Sequence, residues 1–269
     1  MNNDNVFVRR INCWNDTSNR ANYLVPWPPS SIKVQYKRMD LKPRSFHTTH
    51  TTHIEFFDMD AIDCCLTHAP NALVLNLADD VFPGGCVAMG SGAQEESLFR
   101  RTNYCCTLTS DMYPIKPNEA IYSPDVSVFK TSERTGWEML DMDPLPKISF
   151  IACPAIKYPA TIVMEGETRL NETDVDTLKR KIETILQTAI HFGHDTIIFG
   201  AMGCGAWRCP AKHVAQIFKE VLTEYDHCAQ NYYFAIMNTT DDNYIVRDRS
   251  NNKGPVKTID IFRDVFSQN

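Results

Sequence analysis

The chain has 269 residues, 43% hydrophobic and 22% charged, the make-up of an ordinary soluble protein long enough for one large domain or a core with an accessory segment. Its formal net charge is −6, and Lys and Arg form no dense run, which disfavours general binding to DNA or RNA phosphates. No apolar run approaches a membrane span, and the start MNNDNVFVRR lacks the apolar core of a secretory leader, so an intracellular protein, cytoplasmic or nuclear, is expected.

Residues 1–54 read as an accessory segment. Trp14, Trp27 and the VPWPPSS run lead into basic and threonine-rich residues, with short helices at most, because Pro26 to Pro29 interrupt any regular element. His47, His50 and His53 recur every third residue. No neighbouring carboxylate or imidazole completes a known ligand spacing, so a polar surface stretch is expected rather than a metal site.

From residue 55 to 269 apolar strands and amphipathic helices alternate. Met59 to His68 has helical spacing with Asp58 or Asp60 as cap, and Ala72 to Leu77 is a strand buried on both faces. Pro83-Gly84-Gly85 follows, then Gly90, Gly92 and the run Gln94-Glu95-Glu96. Carboxylates in a first helical turn are favoured by the helix dipole. Taken singly, the glycines are a plain turn and the glutamates solvated dipole partners. Together they suit a ligand site, because two glycines let backbone N–H groups approach an anion.

The helix is expected to run from Glu95 to Thr109 with Leu98, Tyr104, Cys105 and Leu108 inward, and with Arg100 and Arg101 solvated or paired with carboxylates. After a loop over Asp111 to Pro117, Ile121 to Phe129 reads as an edge strand interrupted by Pro124. Glu133 to Lys147 is a polar connection, Ile148 to Cys153 a buried strand closed by Pro154, and Tyr158 to Asn171 irregular. Thr173 with Asp176 resembles a capping box opening a helix through His191, which Gly193 ends.

Thr196 to Phe199 is another short buried strand, and it enters Gly200-Ala201-Met202-Gly203-Cys204-Gly205-Ala206-Trp207 ahead of a helix begun by Pro210. Such a loop can cradle a diphosphate with its N–H groups and the helix N-terminus. A strand over Tyr232 to Met237 and a terminal helix over Ile259 to Phe266 complete the pattern. The 10 cysteines contain no CxxC pair, and adjacent Cys64-Cys65 and Cys105-Cys106 suit reduced thiols packed in helices.

Gly84-Gly85-Cys86, seven further residues and Gln94-Glu95-Glu96 resemble the poly(ADP-ribose) glycohydrolase signature of three glycines followed by Gln-Glu-Glu. The wording PGG…GAQEESLFRRT looks like the microbial branch of that family, and YSPDVSVFK, IACPA and GAMGCGAW resemble it in the same order over about residues 55–240. The resemblance implies a macrodomain-like three-layer α/β/α sandwich with a mixed, largely parallel sheet and an N-terminal extension. It also implies hydrolysis of ribose–ribose O-glycosidic bonds in poly(ADP-ribose), with ADP-ribosylated proteins as partners, no cofactor or metal, no membrane or nucleic-acid partner, and a monomer.

By family position Glu96 is the general acid/base, Glu95 holds and orients ribose hydroxyls, and Gln94 braces the loop. Gly84, Gly85 and Cys86 with Gly203, Cys204, Gly205 and Ala206 position diphosphate and distal ribose. Asn76 lies near the terminal ribose, although from the residues alone it is equally a buried amide serving neighbouring backbone. Trp207 would pack on a ribose or the adenine, or else in the core. Cys86 departs from the third glycine, and would cost about 1–3 kcal/mol if that place required positive φ. A reader that binds ADP-ribose without cleaving it, and a hydrolase of protein-linked mono-ADP-ribose, are the alternatives.

Overall fold

A computed structural model describes residues 5–23, 27–37, 52–226, 228–237 and 256–268; His47 and His50 lie outside them. Helices α1 (Val6–Tyr23), α2 (Ala61–His68), α3 (Gln94–Arg101), α4 (Glu172–Phe192), α5 (Ala211–Glu224) and α6 (Thr258–Ser267) surround nine strands. In chain order these are β1 (Ile32–Gln35), β2 (His53–Phe57), β3 (Leu73–Asn76), β4 (Glu119–Ser127), β5 (Lys147–Ala152), β6 (Thr161–Met164), β7 (Glu167–Leu170), β8 (Thr196–Phe199) and β9 (Asn231–Ala235).

Seven strands form one sheet in the order β1-β4-β5-β3-β8-β9-β2. The five from β5 to β2 are mutually parallel, while β4 is antiparallel to both β1 and β5. Because side chains alternate across a strand, Leu73 and Leu75 of β3 pack with α4, α5 and α6 in one core, and Val74 packs with α2 and α3 in the other. The result is a three-layer α/β/α sandwich with a mixed, largely parallel sheet.

Local signals explain much of it. Asp60 caps α2 by accepting from the N–H groups of Ile62 and Asp63, and Gly193 ends α4 at φ 78°. α6 buries Ile259, Phe262 and Val265 at a three-residue spacing, each such side chain stabilising by about 1.5–3 kcal/mol.

Five local expectations differ. First, α1 is a full 18-residue helix, not a short one, and β1 adds a strand beyond β4. β4 is therefore internal; Pro124 is accommodated because the β4–β5 register shifts between Ser123 and Val126. Second, α3 stops at Arg101 instead of Thr109. The Thr102 hydroxyl donates to Leu98 O at 2.7 Å and accepts from Tyr104 N at 3.1 Å, while Asn103 Oδ1 takes the Ser127 N–H at 2.8 Å. Such side-chain bonds compete with the helix ladder.

Third, Arg100 is buried and donates to Ser91 O instead of being solvated or paired with a carboxylate, whereas Arg101, also buried, pairs with Asp60 and Asp63 as one of its two expected states. Fourth, the irregular region holds the β6–β7 hairpin, turned by Glu165 and Gly166 at φ 53° and 80°, the left-handed pair of a type I′ turn. Fifth, the cap of α4 is Asn171, whose Oδ1 accepts from Asp174 N at 2.9 Å, not Thr173. His53, expected on a polar surface stretch, begins β2 beside Asn231.

Candidate active site

β3 and β8 are hydrogen-bonded neighbours running the same way, with Leu73 beside Ile197 and Val74 beside Ile198. The chains leaving their C-terminal ends, residues 77–93 and 200–210, therefore emerge side by side. This edge of an open α/β sheet is where ligands bind.

Gln94 ties the start of α3 to β3. Its amide accepts from Leu77 N at 2.9 Å and donates to Leu75 O at 2.7 Å, using the two functions that a carboxamide offers in one plane. Glu95 is buried and receives three donors. Oε1 accepts from Asn76 Nδ2 and Gly84 N, each at 3.2 Å, and Oε2 accepts from Asp79 N at 2.7 Å. Burial pushes the Glu95 carboxyl up to about 8; the neighbouring Glu96 adds to the rise, and the Asp79, Asn76 and Gly84 donors oppose it.

Glu96 is held differently. Oε1 accepts from Cys86 N at 3.0 Å, whereas Oε2 is buried without a hydrogen bond. The turn that brings the loop over these carboxylates demands glycine. Gly84 and Gly85 have φ of 79° and 55°, and a Cβ on Gly85 would lie 2.8 Å from Glu96 Oε1 and 3.2 Å from Glu95 Oε2. Cys86 has φ −101° and ψ 32° and is exposed. The third position thus carries no left-handed requirement, and the side chain there costs no backbone strain.

Asn76 is fully buried; its Nδ2 lies 3.2 Å from Glu95 and 3.4 Å from Tyr104 Oη, and its Oδ1 makes no hydrogen bond. The sequence marks Tyr104 only as an inward residue of the helix. Tyr113 also has a buried, unpartnered hydroxyl, which Glu95 and Tyr104 help to keep protonated after burial itself. No periodic pattern marks either tyrosine as a site residue.

The second loop is folded on itself by bonds from Cys204 N to Ala201 O, Arg208 N to Gly205 O and Cys209 N to Gly203 O, at 3.0, 3.1 and 2.9 Å. Gly203 and the buried Cys204 lie inside this turn, Gly205 and Ala206 are exposed, and Trp207 is half-buried against the core with the Tyr158 ring edge-on at 5.4 Å. Pro210 precedes α5 with no side-chain cap, which leaves first-turn N–H groups available beside the loop.

α1 reaches this region too. Gly90 has φ 79°, and a Cβ there would meet Phe7 O at 2.6 Å. Arg10 packs against Gly92 and pairs with Glu133 at 3.1 Å. Thr17 Oγ1 donates to Arg100 O at 2.6 Å, and Arg100 Nη1 donates to Ser91 O at 2.7 Å. The loop before Gln94 is thus held between α1 and α3, a role that the opening of the chain did not disclose.

Residues 23–131 match the family model described as the microbial-type PARG catalytic domain. That stretch contains Gly84, Gly85 and Gln94 to Glu96. No match to a curated protein is found. The crystal structure of poly(ADP-ribose) glycohydrolase from Thermomonospora curvata is 20% identical, with TM-score 0.73 over 96% of this chain and 99% of that one. The same enzyme bound to the inhibitor ADP-HPD aligns with TM-score 0.71 at 20% identity, covering 95% and 98%. The Deinococcus radiodurans enzyme in complex with ADP-ribose aligns at 0.67 and 20% identity, covering 93% and 97%. The fold is that of the bacterial poly(ADP-ribose) glycohydrolases, and the family model covers the first of the two loops but not residues 200–210.

Among the described residues no group of three or more His, Cys, Asp or Glu side chains is placed to hold a metal ion. No helix among them is long and apolar enough to cross a membrane.

Proposed function

We propose that this protein is a poly(ADP-ribose) glycohydrolase that cleaves ribose–ribose O-glycosidic bonds and releases ADP-ribose, with Glu96 as the general acid/base. One observation carries the assignment: of the three consecutive polar side chains, Gln94 and Glu95 are taken up by the loop, whereas Glu96 gives only Oε1 to it, at Cys86 N, and keeps Oε2 buried and unpartnered. A carboxyl held at one oxygen and free at the other can present that oxygen to a substrate.

Glycosidic cleavage passes through an oxocarbenium-like transition state. The Glu96 carboxylic acid gives its proton to the leaving ribose oxygen as the C–O bond breaks. The resulting carboxylate takes a proton from water as that water's oxygen bonds to the anomeric carbon, which restores the acid. Glu95 fixes the Asp79–Gly84 turn and, with Asn76, faces the ribose. The 203–207 loop and the α5 N-terminus hold the diphosphate through N–H groups, and Trp207 packs on ribose or adenine. The segment 1–54 is an accessory to the core from residue 55 onward, its α1 supporting the loop. The protein works inside the cell, as a monomer, on poly(ADP-ribose) and ADP-ribosylated proteins.

The test is release of free ADP-ribose from purified poly(ADP-ribose). Wild type is expected to release it, Glu96→Gln is not, and both are expected to bind ADP-ribose. Binding without release by wild type would make the protein a reader.

A further inference from the structure

The loop leaving β5 carries Lys157 into the gap between the two candidate loops. Its Nζ lies 2.8 Å from Asp79 Oδ2, contacts Asp80 as well, and sits 4.5 Å from the centroid of the Trp207 ring. An ammonium at that range is attracted by the negative face of an indole. Next to it, Tyr158 N donates to Trp207 O at 3.1 Å.

Asp79 faces both ways. Its carboxylate Oδ1 accepts from the N–H groups of Val81 and Phe82 at 2.8 and 2.9 Å, and its own N–H donates to Glu95 Oε2. One lysine therefore touches the turn that organises Glu95 and the aromatic residue assigned to the ligand. The side chains of Lys157 and Asp79 are 27% and 18% exposed, so their attraction is screened less than that of a surface pair. Burial opposes the Lys157 charge, but Asp79 and Asp80 more than offset it and raise its pKa.

We infer that Lys157 is a positioning residue, one that sets the spacing of the Asp79–Gly84 turn against Trp207 and neutralises Asp79 and Asp80 at the mouth of the site. The inference rests on the ADP-ribose reading above, because it concerns acceptance of a dianionic diphosphate. Two carboxylates facing one ammonium already leave an excess negative charge. Without the lysine, both would repel the incoming phosphates, and Trp207 would lose the cation that fixes it.

The experiment is titration calorimetry of free ADP-ribose with wild type, Lys157→Met and Lys157→Arg at about 0.05 M and about 0.5 M salt, since repulsion between charges is screened across that range. Lys157→Met is expected to bind about tenfold more weakly at low salt and to recover toward wild type at high salt. Lys157→Arg is expected within about threefold of wild type, because a guanidinium retains both the ion pair and the contact with the indole. Equal affinity of Lys157→Met and wild type at low salt overturns the inference, and so does a weakening that salt leaves unchanged, the mark of a merely structural defect. Failure of wild type to bind ADP-ribose would overturn the functional reading itself, and this inference with it.

Discussion

Cys86 and Glu96 are joined by a single hydrogen bond, the Cys86 N–H donating to Glu96 Oε1 at 3.0 Å, while the other carboxylate oxygen is buried with no partner. The donor is the backbone, so the bond does not depend on the side chain at position 86. Glu96→Gln keeps an acceptor oxygen for Cys86 N but has no proton to transfer. Its ADP-ribose release is expected to fall about 10²- to 10⁴-fold with ADP-ribose affinity nearly unchanged, as read by product assay and calorimetry on the same preparation.

Cys86→Gly is expected to leave activity intact and to lower stability by no more than about 1 kcal/mol. The native φ of −101° is one that any L-residue adopts. Thermal melting beside ADP-ribose release checks it; a clear gain in turnover would show that the side chain obstructs the site.

Gly85→Ala is the opposite case. The residue is at φ 55°, and its new methyl would press on both glutamates. The backbone alone would cost about 1–3 kcal/mol, and displacement of Glu96 should reduce kcat more than it reduces ADP-ribose affinity. A melting temperature and a kcat both equal to those of wild type would contradict the geometry.

Gly90→Ala tests the contact with α1. A Cβ would lie 2.6 Å from Phe7 O at a residue with φ 79°, and backbone cannot swing away as a side-chain end can. A loss of about 1–3 kcal/mol is expected, together with reduced activity although the residue touches no catalytic group. Denaturant unfolding and product release measure the two effects.

Glu95 gives the pH dependence. Its folded value of about 8 stands above the ordinary 4.5, so the folded state holds the proton more tightly than the unfolded chain does. The stabilisation is complete below about pH 4.5 and is lost as pH rises toward about 8. The stability of wild type minus that of Glu95→Gln should therefore decline from about pH 5 to about pH 8 and level off above. Paired melting curves across that window measure it, and a flat difference would refute the raised value.

Local residue patterns are enough to locate the sandwich's central strands, most helix ends and the candidate site's polar core. β3 is apolar on both faces, an aspartate ahead of α2 and Gly193 after α4 are capping residues, and Gly84 and Gly85 precede Gln94 to Glu96 at the start of a helix by about ten residues. The strand, the caps and the glycine turn act on neighbours a few residues away, so periodicity, capping and turn chemistry reveal them. Tertiary structure decided that β4 is internal, that Arg100 and Arg101 are buried, and that α1 and Lys157 belong to the site's surroundings. The deciding contacts, Thr17 with Arg100 and Lys157 with Asp79, join residues 83 and 78 positions apart. A lone arginine, threonine or lysine carries no periodic trace of its partner. Only the adjacency of parallel β3 and β8, a property of the assembled sheet, brings the glutamate loop and the glycine loop to one edge.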